Sequence, residues 1–100
     1  MLIKDFATID FETYYDKEYS LSKMQTDEYV LDDRFEIIGV GVKAGRNENV
    51  EWFEGQGMEY YLREAIDWEN TAVCCHNAHF DGFIATQRLN LQPKLCLLYT

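Results

Sequence analysis

Residues 35–44 read FEIIGVGVKA, and Ile37, Ile38, Val40 and Val42 make this the strongest strand signal in the chain. β-Branched side chains suit an extended, half-buried backbone, and the run is too short for a buried helix. Residues 44–49 (AGRNEN) predict a hairpin turn, with Gly45 and Asn47 suited to positive φ. Residues 49–54 then predict a third strand folding back on the second. On the other side, Asp5–Thr13 (DFATIDFET) mixes β-branched and aromatic residues and predicts a first strand with one polar face. Between the two, residues 17–33 carry many charges around a weak helical pattern of Leu21, Met24, Tyr29 and Leu31. An irregular excursion with a helical turn or two is expected there.

Downstream of the hairpin the period changes. Gly55 and Gly57 punctuate the exit, and residues 58–68 place Met58, Tyr61, Leu62, Ala65, Ile66 and Trp68 at the spacing of one helical face. Thr71–Cys75 (TAVCC) predicts a short buried strand. Residues 78–89 return to helical spacing with Phe80, Phe83, Ile84 and Leu89, and Pro93 ends that unit. Residues 94–100 (KLCLLYT) predict a final strand. Three antiparallel strands followed by alternating helix and strand give an α/β fold, a mixed sheet flanked by helices. With one Pro, no Gly/Ser-rich stretch and no repeat, residues 1–100 make a single domain without an internal linker.

Composition narrows the function. Hydrophobic residues at 47% and aromatics at 15% argue for a packed core. Eighteen acidic against nine basic residues give a formal charge of −9. That balance excludes nucleic-acid binding through a broad basic surface. Nucleic acid is then handled through metal ions at a small acidic site, or not at all. The apolar runs are too short to span a membrane and the first residues lack a signal-peptide pattern, so a cytoplasmic protein is expected. Cys74, Cys75 and Cys96 form no disulfide framework. Adjacent strand residues face opposite ways, so Cys74 and Cys75 are poorly placed to share a metal.

Two constellations carry chemistry. Asp10 and Glu12 lie two apart on the first strand, so both side chains leave the same face while Ile9 and Phe11 leave the other. Like charges side by side on a sheet are destabilising, and Mg2+ or Mn2+, which prefer carboxylate oxygens, offset them. The alternative is an exposed edge strand whose two acids sit in water. The second constellation, His76-Asn77-Ala78-His79-Phe80-Asp81, lies where the fourth strand meets its helix. Asp81 falls in the first helical turn, where an anion is favoured, and Asn77 is placed to cap the helix or to reach a ligand. Alone, these two read first as an N-cap and a surface acid. His76 and His79, with no third ligand at motif spacing, support zinc only weakly.

Taken together, the constellations resemble the DEDD exonuclease superfamily, specifically the proofreading domain of family A DNA polymerases. Its first motif, D-x-E followed by Thr, stands as Asp10-Phe11-Glu12-Thr13; its second stands as Asn77-Ala78-His79-Phe80-Asp81. The resemblance covers essentially the whole chain and implies a ribonuclease H-like fold. It implies that Asp10, Glu12 and Asp81 are catalytic ligands of two Mg2+ or Mn2+ ions. It also implies that Phe11, Thr13, Asn77 and Phe80 hold or stack on the single-stranded 3′ end of DNA; Tyr14 and Tyr15 would extend that platform. The start of the motif ten residues into the chain suggests a phage-type polymerase acting in a bacterial host cell.

The family's third motif, Tyr or His followed four residues later by Asp, has no match after Asp81. Tyr29 and Asp33 have the spacing but the wrong order. The expectation is therefore an N-terminal portion of the domain, incomplete at its C-terminal side and inactive alone, completed by the remainder of a polymerase in the same or another chain. Two alternatives stand beside it: a non-catalytic acidic interaction module, and a fragment of an RNA-directed exonuclease of the same superfamily.

Overall fold

In the computed structural model, which describes residues 5–45, 49–75, 77–93 and, by backbone alone, 96–98, strand β1 (Asp5–Thr13) occupies the centre of a five-stranded sheet. Strand β2 (Ile37–Ala44) pairs antiparallel with β1, and β3 (Glu51–Phe53) antiparallel with β2. On the other flank β4 (Thr71–Cys75) pairs parallel with β1, and β5 (Cys96–Leu98) parallel with β4. The order is β3-β2-β1-β4-β5, and β2 alone runs against the rest. This is the mixed α/β sheet that the hydrophobic pattern predicts.

Strand parity decides which residues make the core. Ile9 and Phe11 face Val42 and Val40 across the β1–β2 ladder, and all four are buried. Val73 and Cys75 of β4 join them, and Tyr29, Val30, Met58, Leu62, Trp68, Ile84 and Leu89 close this side of the sheet. The opposite face carries Thr8, Asp10 and Glu12 of β1, Gly41 and Gly39 of β2, and Trp52 of β3. Cys74 and Cys75 are both buried on opposite faces, as adjacent strand residues must be.

Helix α1 (Thr26–Leu31) lies in the excursion between β1 and β2. Glu28 accepts the Gln25 N–H at 3.2 Å and holds the first turn. The core here keeps Tyr29 from the expected pattern but differs in the rest: Leu21 and Leu31 are exposed, whereas Tyr19 and Val30 are buried. The cause is a turn built by Asp16, whose Oδ1 accepts the N–H groups of Glu18 and Tyr19 at 2.8 Å each. The turn sends Tyr19 inward to stack on Tyr29, ring centroids 4.5 Å apart, and to donate its hydroxyl to Tyr29 O. Burial pushes the Tyr19 phenol up to about 12.

Helix α2 (Gly55–Tyr60) passes directly into a π-helical turn, Tyr61–Ala65. It starts earlier and stops sooner than the expected 58–68. Ile66 is extended, and Trp68 folds back so that its indole N–H donates to Leu62 O at 2.7 Å. Burial without helical geometry explains the apolar residue at Trp68. The third strand is likewise shorter than 49–54, because Gly55, at φ +63°, turns the chain out of the sheet. The last helical segment, here α3, consists of π-wound turns Ala78–Gly82 and Ile84–Arg88. The wide winding brings Asp81, Ile84, Ala85 and Leu89 to the inner side. Arg88 anchors α3 to the excursion by donating from Nε to Val30 O at 2.7 Å.

Gly45 takes φ +58°, as the hairpin requires, while Asn47 lies outside the described residues. Of the expected strand 94–100, Cys96–Leu98 forms β5 and the flanking positions lie outside the described residues. Among the described residues no helix is long and apolar enough to cross a membrane.

Candidate functional site

The site arises because β1 outlasts β4. The last rung between them joins Ile9 to Cys75. Beyond it the chain leaves the sheet for α3, so the Phe11 N–H finds no strand on that side. Asp81 Oδ1 accepts it instead, at 3.0 Å. A backbone donor at the centre of a sheet is costly to leave unsatisfied, and a carboxylate is a strong acceptor. Asp81 is 2% exposed, so it is not the surface acid that its place in a first helical turn would suggest. Its carboxylate lies against the backbone of the residue between Asp10 and Glu12, the two motifs meeting across seventy positions of chain.

Asp10 and Glu12 are exposed on one face of β1. The strand is central rather than an edge, so their exposure comes from the bareness of that face. Their cross-strand partners are glycines, Gly41 opposite Asp10 and Gly39 opposite Glu12. No β2 side chain therefore stands directly opposite either carboxylate. Among the described residues, no three His, Cys, Asp or Glu side chains stand close enough to hold a metal ion as placed. Asp10 and Glu12 are exposed, whereas Asp81 is buried and hydrogen-bonded to the Phe11 backbone.

By donor chemistry the set fits a hard divalent cation, since it consists of carboxylate oxygens without a thiolate or an imidazole. His79 is exposed, and His76 lies outside the described residues.

The remaining expected residues divide. Phe11 is 3% exposed with its ring in the core, so what it presents to the site is its backbone N–H. Thr13 follows a β-bulge, where the β1–β2 register shifts after Glu12. Its hydroxyl bonds to the Tyr29 hydroxyl at 2.8 Å, and Tyr29 in turn donates to Tyr14 O. Asn77 caps α3: its Oδ1 accepts the Phe80 N–H at 3.3 Å, and its carbonyl accepts the Asp81 N–H at 2.8 Å. Those bonds set the direction in which Asp81 enters the sheet. Phe80 is half-buried against Tyr29, ring centroids 6.2 Å apart. Tyr29 thus touches residues of both motifs, although its own hydroxyl is turned inward and Asp33 is exposed.

Tyr14 and Tyr15 are on the surface, Tyr15 at 72% exposure. The Tyr14 hydroxyl donates to Asp16 Oδ2, a bond that holds the phenol above its usual range and the Asp16 carboxyl below its own. A cleft of about 420 Å³ lined by Phe35, Ile37, Met58, Arg88 and their neighbours contains none of the motif residues. Asp10 and Glu12 stand instead on an exposed sheet face, a setting for an extended ligand rather than an enclosed small molecule.

Sequence reasoning missed Gly39, Gly41, Trp52 and Tyr19. A signal existed for the glycines: the G-x-G of β2 has the same two-residue spacing as the D-x-E of β1, and the antiparallel register sets them opposite one another. Comparison with protein-family models, curated proteins and solved structures finds no match for this chain.

Proposed function

We propose that this chain carries three carboxylates of a two-metal 3′→5′ exonuclease centre, as the N-terminal portion of the proofreading domain of a DNA polymerase. The observation that supports it most is the Phe11 N–H to Asp81 Oδ1 bond, which brings the second motif's buried acid against the backbone of the residue that separates the two acids of the first. The ribonuclease H-like reading of the fold draws support from the first motif lying on the first strand of a hairpin set and the second at a strand-to-helix junction.

Asp10, Glu12 and Asp81 would hold the ions, which in such a centre polarise the scissile phosphate and activate water. Asp81 supplies the fixed ligand, because its hydrogen bond to Phe11 and the Asn77 cap set its position before any cation arrives. Asp10 and Glu12 complete the set from the exposed face of β1, with glycines as their direct cross-strand partners. The charge of −9 then ceases to oppose nucleic acid, since attraction for phosphate is supplied locally. A fourth carboxylate, and with it full activity, is supplied from outside these residues.

The second reading is a non-catalytic acidic interaction module. It is favoured by the exposure of Asp10 and Glu12, which stand on the surface of β1 as ordinary solvated acids would.

The test is digestion of 5′-labelled single-stranded DNA and RNA with Mn2+ by the wild type and Asp10→Ala, beside Mn2+ binding by each. The exonuclease reading expects Mn2+ binding that Asp10→Ala loses, with little shortening of either strand by this chain alone. Laddering from the 3′ end that the variant loses would demonstrate the activity outright, and its preference would assign DNA or RNA. Mn2+ binding that is absent, or equal in both proteins, sinks the reading and leaves the interaction module.

A further inference from the structure

The face that carries Asp10 and Glu12 continues across β2 at two glycines, over which Trp52 of β3 and the neighbouring Val50 lean. Gly41 and Gly39 stand opposite the two acids, and Gly41 pairs in turn with Trp52 of β3. The Trp52 indole does not extend outward from its edge strand. It leans back over Gly39 so closely that a Cβ built there would lie 2.1 Å from Cζ2. The ring therefore lies above β2, one strand spacing, about 5 Å, from the Glu12 backbone. Its tilt is held by a hydrogen bond from Nε1 to Glu54 Oε2 at 3.0 Å. Even in this seat Trp52 remains 49% exposed. A large aromatic held at both ends, beside two exposed carboxylates and open to solvent over half its surface, is suited to stacking on another planar ring.

We infer that Trp52, seated on Gly39, forms a nucleobase subsite, in which a base of the bound strand stacks on the exposed side of the indole while its phosphate lies toward Asp10 and Glu12. The inference rests on the exonuclease reading and extends it by assigning the base contact to β3, outside both motifs. Stacking on Trp52 is independent of base identity, because every base has a π-face. Gly39 serves the subsite by letting the indole lie down beside Glu12. A side chain at Gly39 would displace the indole.

Two tryptophans make the test direct. Trp68 is buried with its indole N–H bonded to Leu62 O, so a change in emission on adding a ligand reports Trp52. A short oligothymidylate and an abasic strand of equal length are titrated, with Mn2+, into the wild type, Trp52→Phe, Trp52→Leu and Asp10→Ala. Labelled-strand anisotropy gives affinity and tryptophan emission gives stacking. The subsite expects quenching of wild-type emission by oligothymidylate and none by the abasic strand. Trp52→Phe should keep most of the affinity, and Trp52→Leu should lose roughly five- to hundredfold. Near-UV circular dichroism of Trp52→Leu confirms its fold. If Trp52→Leu binds as the wild type does while Asp10→Ala binds weakly, the subsite is overturned and the metal reading stands. If Asp10→Ala also binds as the wild type does, or no protein binds, both are overturned.

Discussion

Asp81 is the residue on which the two motifs converge, and its two roles separate by substitution. As an acceptor it satisfies the Phe11 N–H; as a charge it would bind a cation. Asp81→Ala removes both and leaves a buried donor, so it should cost about 1–3 kcal/mol in urea unfolding. Asp81→Asn retains an acceptor of the same shape without the charge, and should leave the unfolding midpoint within about 1 kcal/mol of wild type. Equal losses from the two variants would contradict the hydrogen bond's role. Tyr19 makes a separate prediction in pH. Its phenol is raised from about 10 when unfolded to about 12 when folded, so the folded state favours the neutral form. The contribution is fully present below pH about 10 and lost as pH rises through about 12. Urea midpoints should fall across that window, and Tyr19→Phe should flatten the fall while costing about 1 kcal/mol for the bond to Tyr29 O. An unchanged alkaline slope in Tyr19→Phe would contradict the assignment.

Secondary-structure elements place these residues through differences in length. Because β4 ends at its pairing with Ile9, the junction into α3 can reach the backbone of β1. The inner side of α3 holds it there, with Ile84 wholly buried in the core. Ile84→Ala should cost about 2–5 kcal/mol, measured by urea unfolding, as a cavity under the segment that carries Asp81. A cost under about 1 kcal/mol would mean that α3 is not seated as described. Much of this level was legible in the sequence. The hairpin about Gly45, the shared face of Asp10 and Glu12, and the β4-to-α3 junction all follow from period and parity. The burial of Asp81 was not legible, because it depends on where one strand stops relative to another. Nor was the aromatic core of the excursion, since Tyr19 is directed inward by a single Asp16 turn rather than by any periodicity. Trp68 misled for a related reason: its apolar ring is buried through a fold-back, not through a helical face.

Across the whole molecule, charge and surface divide the labour. The helices close one face of the sheet, and the other presents carboxylates, glycines and an exposed indole. A chain of net charge −9 repels a nucleic-acid strand unless cations intervene. Strand binding should therefore vanish on chelation with EDTA, and monovalent salt should not restore it. Retention that persists without divalent metal would point to a different surface. The decisive measurement is calorimetric titration of Mn2+ into the wild type and into Asp81→Asn, with the unfolding midpoint of each determined in the same buffer. A shared carboxylate centre requires saturable Mn2+ binding by the wild type that Asp81→Asn loses at least tenfold while remaining folded. Equal Mn2+ affinity in the two proteins would mean that Asp81 only satisfies a backbone donor, and the three acids would not form one site.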